Sequence, residues 1–166
     1  MAKHSLDIFS KSGVKEEEIE VLEIAAHFFL KELEKIKEMG RIRGEVQVVT
    51  SITREGTDEH LSGDMEEIPD YYLDNGVKKP YYICRIADHN NSLETLRTLA
   101  HELTHVWQTE IGCLKVSECG WEWRGKQYGS DPYTEKDNLP WETQADKLDI
   151  QLVKKFYKYY FQPENK

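Results

Sequence analysis

Residues 99–108, "LAHELTHVWQ", place two imidazoles four positions apart with a carboxylate directly after the first. On a helix, His101 and His105 project from one face, one turn apart. That separation lets both rings reach one tetrahedral zinc at about 2.0–2.1 Å. Glu102 lies about 100° around the helix from His101. It therefore flanks the metal rather than joining it, placed to take a proton from a zinc-activated water. An amphipathic helix needs none of these three side chains, whereas metal-assisted hydrolysis needs all of them.

A zinc catalyst takes a third protein ligand and keeps a fourth position for water. His4 stands in the N-terminal tail, His27 within a helical stretch and His60 in an acidic segment, while His89, just before the motif helix, is a reserve candidate. The better candidate is Glu142 in "ETQAD", with Asp146 one helical turn further along the same face. A carboxylate there can orient a ligand histidine, because metal-bound imidazoles donate their second N–H to such groups. The ordinary alternative makes Glu142 a first-turn glutamate serving the helix dipole and Asp146 a solvated charge. Their combination with the histidine pair favours a metal site holding one Zn2+ per chain.

Three helices and a small sheet must position these residues. In "KEEEIEVLEIAAHFFLKELEKIKEMG", Ile19, Leu22, Ala26, Phe29, Leu33 and Ile36 form an apolar stripe at helical spacing, with glutamates at the start and Gly40 past the end. The stripe predicts a helix backing a sheet, with His27 in the core or at its boundary. "EVQVVTSI" (residues 45–52) and "PYYICRIA" (residues 80–87, Pro80 first) read as strands. Between them, the carboxylates of residues 58–74 read as a solvated loop without the ligand order of a calcium loop, and Asn75-Gly76 as a tight turn. Leu96, Leu99, Ala100, Leu103 and Trp107 give the motif helix its buried face, Asn91 or Ser92 caps it and Gly112 follows it. Residues 113–139 read mostly as loop. "PWETQADKLDIQLVKKFYKYYF" is the last helix, with Pro140 in its first turn and Ala145, Leu148, Leu152 and Phe156 on its core face.

At 166 residues the chain suits a single domain, residues 1–166, with 1–14 as a flexible N-terminal segment. Apolar residues make up 39% and charged residues 32%, no apolar run reaches membrane-spanning length, and the N-terminus has no apolar signal region. A net charge of −9 argues against nucleic acid as a partner, since phosphate neutralisation uses basic patches. Cys84, Cys113 and Cys119 form an odd, sparse set without zinc spacing, which fits ordinary thiols in a reducing, cytoplasmic compartment.

"HELTH" followed by "ETQAD" resembles the gluzincin pattern, His-Glu-x-x-His then Glu-x-x-x-Asp, of thermolysin-like zinc metallopeptidases. "TLAHELTHVWQ" and "PWETQAD" look most similar to small SprT-like or phage-type metallopeptidases; the ImmA/IrrE-like peptidases share a comparable plan. The resemblance covers about half the chain. It implies a compact α+β zincin-like fold, with a small mixed sheet, a backing helix, an active-site helix and a C-terminal helix. It also implies His101, His105 and Glu142 as zinc ligands, Glu102 as general base and Asp146 as partner of His101. Gluzincins often stabilise the oxyanion with a tyrosine or histidine, which makes Tyr128, Tyr133 and Arg124 candidates, Tyr133 preferred for its nearness to Glu142. Spartan-type proteases use a third histidine, and none follows His105 here. The implied partner is an extended peptide or protein substrate, paired along "PYYICRIA" as the strand nearest the active helix. Two rivals stand beside this expectation: a catalytically silent zinc-binding module, in which Glu102 has no use, and a metal-free helical interaction module.

Overall fold

A computed structural model describes residues 6–10, 15–36, 45–51, 63–72, 78–87, 92–135 and 138–162. In chain order the elements are β1 (Leu6–Ser10), α1 (Glu16–Leu33), β2 (Glu45–Ser51), β3 (Gly63–Tyr72), β4 (Lys78–Ala87), α2 (Ser92–Glu110), β5 (Leu114–Ser117), β6 (Gly120–Trp123), β7 (Lys126–Gly129), α3 (Pro132–Glu135) and α4 (Pro140–Phe161). The fold is α+β. Its larger sheet has the order β1-β2-β4-β3 and is mixed: β1–β2 and β2–β4 are parallel, β3–β4 antiparallel. No helix among the described residues is long and apolar enough to cross a membrane.

The motif helix α2 is the centre of the molecule and packs against α1, α4, β3 and β4. Its expected face, Leu96, Leu99, Ala100, Leu103 and Trp107, is buried with Val106. That face meets Leu22, Ala26, Phe29 and Leu33 of α1, Tyr82, Cys84 and Ile86 of β4, and Leu152, Val153 and Phe156 of α4 in one core. His27 is half-buried, a boundary position. The end of α2 is closed by a Schellman arrangement: Gly112 has φ +75°, its N–H donates to the Thr109 carbonyl at 3.0 Å, and Cys113 N–H donates to the Gln108 carbonyl at 3.0 Å. The proposed cap Asn91 lies outside the described residues, as do His4, His60, His89 and Asn75-Gly76.

Four expectations need correction. Leu6–Ser10 belong to a segment read as flexible, yet pair with Val46–Thr50 as β1. Within the acidic segment, Gly63–Tyr72 form a ten-residue strand rather than a solvated loop. Two of its carboxylates, Asp64 and Glu66, flank an inward position: both accept hydrogen bonds from Arg85, while Met65 packs on the core. This makes β4 an interior strand hydrogen-bonded on both sides, so "PYYICRIA" has no free edge to offer a peptide; among the described residues β3 is the edge strand beside it. Pro80 is the third residue of β4, set where β2 pairing begins one residue later and β3 shifts register between Ile68 and Tyr71.

The fourth correction concerns residues 113–139, which hold the antiparallel meander β5-β6-β7 and the short helix α3 rather than mostly loop. Arg124 and Gly125 both take positive φ, 48° and 84°, the pattern of a two-residue type I′ hairpin between β6 and β7. At Gly120 a Cβ would stand 2.4 Å from the Gly129 carbonyl oxygen, so only glycine lets these backbones approach. The meander has its own small core of Leu114, Trp123, Leu139 and Trp141, which fastens it to the start of α4.

Candidate metal centre

The i, i+4 spacing on α2 sets the imidazoles of His101 and His105 edge to face, ring centroids 4.7 Å apart, with their Nε2 atoms 3.1 Å apart. Pro140, suited to the first helical position, starts α4 so that Glu142 falls in its first turn. From there, Glu142 Oε2 lies 3.0 Å from His101 Nε2 and Oε1 lies 3.3 Å from His105 Nε2. Ligands at about 2.0–2.1 Å around a tetrahedral zinc stand about 3.3–3.4 Å from one another. The three residues therefore stand at the spacing of ligands around one metal ion, and two imidazoles with one carboxylate are among the donor sets that bind zinc.

The outer nitrogens show which way the lone pairs face. His105 Nδ1 is 2.8 Å from Gln108 Oε1. That oxygen assignment is set by the other end of the amide, whose nitrogen donates to the Trp141 carbonyl at 3.0 Å and to Gln144 Oε1 at 2.9 Å. His105 Nδ1 thus carries a hydrogen and donates it. His101 Nδ1 lies 3.3 Å from Asp146 Oδ1 and 3.5 Å from Asp149 Oδ2. Asp149 in turn accepts from Arg97 Nε at 3.2 Å. With acceptors at both Nδ1 atoms, the neutral rings turn two Nε2 lone pairs toward each other and toward a carboxylate. Three electron-pair donors gathered at 3.0–3.3 Å repel unless a cation lies among them.

Electrostatics agree with this need for positive charge. Burial disfavours the His101 imidazolium, but hydrogen bonds to Asp149 and Glu142, with the charge of Glu102, push its pKa up to about 10 when a proton is the only cation on hand. Burial would also raise the Glu142 carboxyl, yet the two histidines hold it well below the usual carboxylate range. Glu102 behaves oppositely: only 6% exposed, it is pushed up to about 7 by burial against the opposing pull of His105 and His101. A carboxylate poised near neutrality is suited to general-base work.

These groups line one cavity of about 530 Å³, together with Gly63, Met65, Arg97, Leu114, Trp121, Tyr133, Asp146 and Asp149. Tyr133 OH donates to Glu142 Oε1 at 2.7 Å and accepts from Trp141 Nε1 at 3.0 Å. Its proton is thus aimed at the Glu142 carboxylate. Trp121 stacks on Trp141, ring centroids 5.5 Å apart, and meets Tyr133 edge to face. Gly63 brings β3 hard against α2: a Cβ there would stand 2.8 Å from Thr98 Cγ2, 3.0 Å from the Arg85 carbonyl oxygen and 3.1 Å from Glu102 Cγ.

All the residues expected at the site, His101, Glu102, His105, Tyr133, Glu142 and Asp146, come together in this cavity. Tyr128 and Arg124 do not line it; Tyr128 packs edge to face on Trp141, and Arg124 sits at the exposed hairpin turn over Trp123. His27 and the three free cysteines belong to no metal grouping among the described residues. Gln108 and Asp149 are further members of this cluster that the sequence does not single out. Each carried a helical-spacing signal: Gln108 is one turn beyond His105, and Asp149 is two turns beyond Glu142, past Asp146. Asp149 is the buried partner of His101, its side chain 5% exposed against 67% for Asp146. Comparison with family models, curated proteins and solved structures finds no match to this chain.

Proposed function

We propose that the chain is a zinc-dependent metallopeptidase of zincin-like plan, hydrolysing peptide bonds with Glu102 as general base. The observation that supports this best is the convergence of His101 Nε2, His105 Nε2 and Glu142 within 3.0–3.3 Å beside a buried, cavity-facing glutamate. His101, His105 and Glu142 would hold the zinc ion, which would supply Lewis acidity toward water and the scissile carbonyl. Glu102 accepts the proton of the attacking water and returns it to the leaving amine. Its depth matters for both steps, because burial keeps its affinity for a proton near that of a neutral-pH base. Asp149 and Asp146 hold His101 by its Nδ1, and Tyr133 holds Glu142 by Oε1.

The substrate in this reading is an extended peptide laid along the free side of β3. Gly63 and Met65 line the cavity, and β3 has a ladder partner on β4 alone among the described residues. Main-chain pairing of that kind binds many sequences. The three free thiols suit a reducing, cytoplasmic setting. A silent zinc-binding module would leave a buried carboxylate near the ligands without a task, and burying one is costly.

The test is cleavage of a mixed peptide library by zinc-loaded wild type and by Glu102→Gln. Cleavage by wild type, lost in the variant at equal zinc content, supports the enzyme. Equal zinc with no cleavage by either protein favours the silent module.

A further inference from the structure

Gln108 has no exposed surface, and every polar atom of its side chain is engaged. The amide oxygen accepts from His105 Nδ1 on α2. Both amide hydrogens cross to α4, to the Trp141 carbonyl and to Gln144 Oε1, the residues on either side of the segment that holds Glu142. Its own backbone carbonyl accepts the N–H of Cys113 that closes α2. Rotating this amide would set N–H against N–H at His105 and oxygen against oxygen at α4, so it has one orientation.

We propose that Gln108 is the positioning residue of the metal centre: one amide fixes the hydrogen on His105 Nδ1, directs the Nε2 lone pair inward and seats the turn that carries Glu142. The inference rests on the zinc reading above and adds the device that gathers ligands from two helices before any ion arrives. A glutamine that served only to pack α2 on α4 would affect stability alone. A positioning glutamine makes zinc affinity follow the acceptor at His105 Nδ1, whatever happens to stability.

Two variants separate these roles. Gln108→Met keeps the length of the side chain and loses all three hydrogen bonds. Gln108→Glu keeps the acceptor for His105 and loses both donors to α4. For each, the thermal midpoint is measured in chelator and the zinc dissociation constant by competition with a chromophoric chelator. Both variants are expected to melt below wild type in chelator. Zinc binding is expected to weaken ten- to a hundredfold in Gln108→Met, the usual cost of losing the group that orients a ligand histidine. It is expected to weaken distinctly less in Gln108→Glu.

Unchanged zinc affinity in Gln108→Met, or weaker binding by Gln108→Glu than by Gln108→Met, would overturn the proposal. If Gln108→Met does not fold, Gln144→Met, which removes one acceptor of the amide, takes its place: severalfold weaker zinc binding is expected, and unchanged binding overturns the proposal. Wild-type protein that takes up no zinc would remove the metallopeptidase reading itself, whereas normal wild-type binding with indifferent variants would remove the positioning role alone.

Discussion

His101 and His105 face each other through Nε2 atoms 3.1 Å apart, while each Nδ1 is turned away to an acceptor of its own. If both imidazoles are neutral they have no hydrogen to share, so a proton on His101 or a metal ion must supply the positive charge between them. With Glu142 closing the third side, the three side chains form a group that could hold a metal ion.

Asp149 rather than Asp146 should carry the orientation of His101, because Asp149 is buried and tied by Arg97 while Asp146 is mostly exposed. Asp149→Asn is expected to weaken zinc binding about ten- to a hundredfold, and Asp146→Asn less. Chelator competition measures both; a larger effect at Asp146 would reverse the assignment.

Removing the metal should destabilise the fold, since the ligands come from α2 and α4 and the unfolded chain holds no such site. Zinc at about a hundred times its dissociation constant stabilises by about 2.7 kcal/mol, or about 5–10 °C in a domain of this size. Differential scanning fluorimetry with and without chelator reads the shift. Identical melting curves would count against a zinc bound by both helices.

Gly63→Ala should impair catalysis more than metal binding. The new Cβ meets Thr98, the Arg85 carbonyl and the Cγ of Glu102, while the zinc ligands lie elsewhere. Displacing the base by a fraction of an ångström is expected to lower kcat about tenfold or more, with zinc content unchanged by elemental analysis. Full activity in this variant would mean that Glu102 is not held from β3.

Glu32 links α1 to α4 through Lys155 and also pairs with Lys35. Burial alone would raise its carboxyl, but hydrogen bonds from the two lysines lower its pKa below the ordinary value. A carboxyl lowered by folding stabilises above its unfolded pKa and loses that contribution as pH falls through the folded value. The melting-point difference between wild type and Lys155→Met is therefore expected at neutral pH and should shrink as pH falls below the carboxylate range. A difference that persists in strong acid would assign the effect to packing of the lysine stem.

Much of this was legible in local patterns. The apolar stripes of α1, α2 and α4 mark their buried faces, and the His-Glu-x-x-His spacing with Glu142 and Asp146 names most of the centre. β3 was hidden because Asp64 and Glu66 serve an outward face answered by Arg85, a pairing set by strand register. The meander was hidden because its strands are four residues long and two of them are largely exposed, the whole resting on glycine turns and on Trp141 from the next long helix. Helical spacing puts Gln108 near His105 and Asp149 near Glu142, but the bonds of Gln108 to Trp141 and of Asp149 to His101 depend on how α2 and α4 dock, which no single-helix pattern reports.

The most direct measurement is zinc per chain by elemental analysis on untagged protein, for wild type and Glu142→Ala. About one zinc per wild-type chain is expected, with much weaker retention in the variant. Wild-type protein that stays metal-free after exposure to zinc would contradict the metal centre, and equal zinc in both proteins would contradict Glu142 as the third ligand.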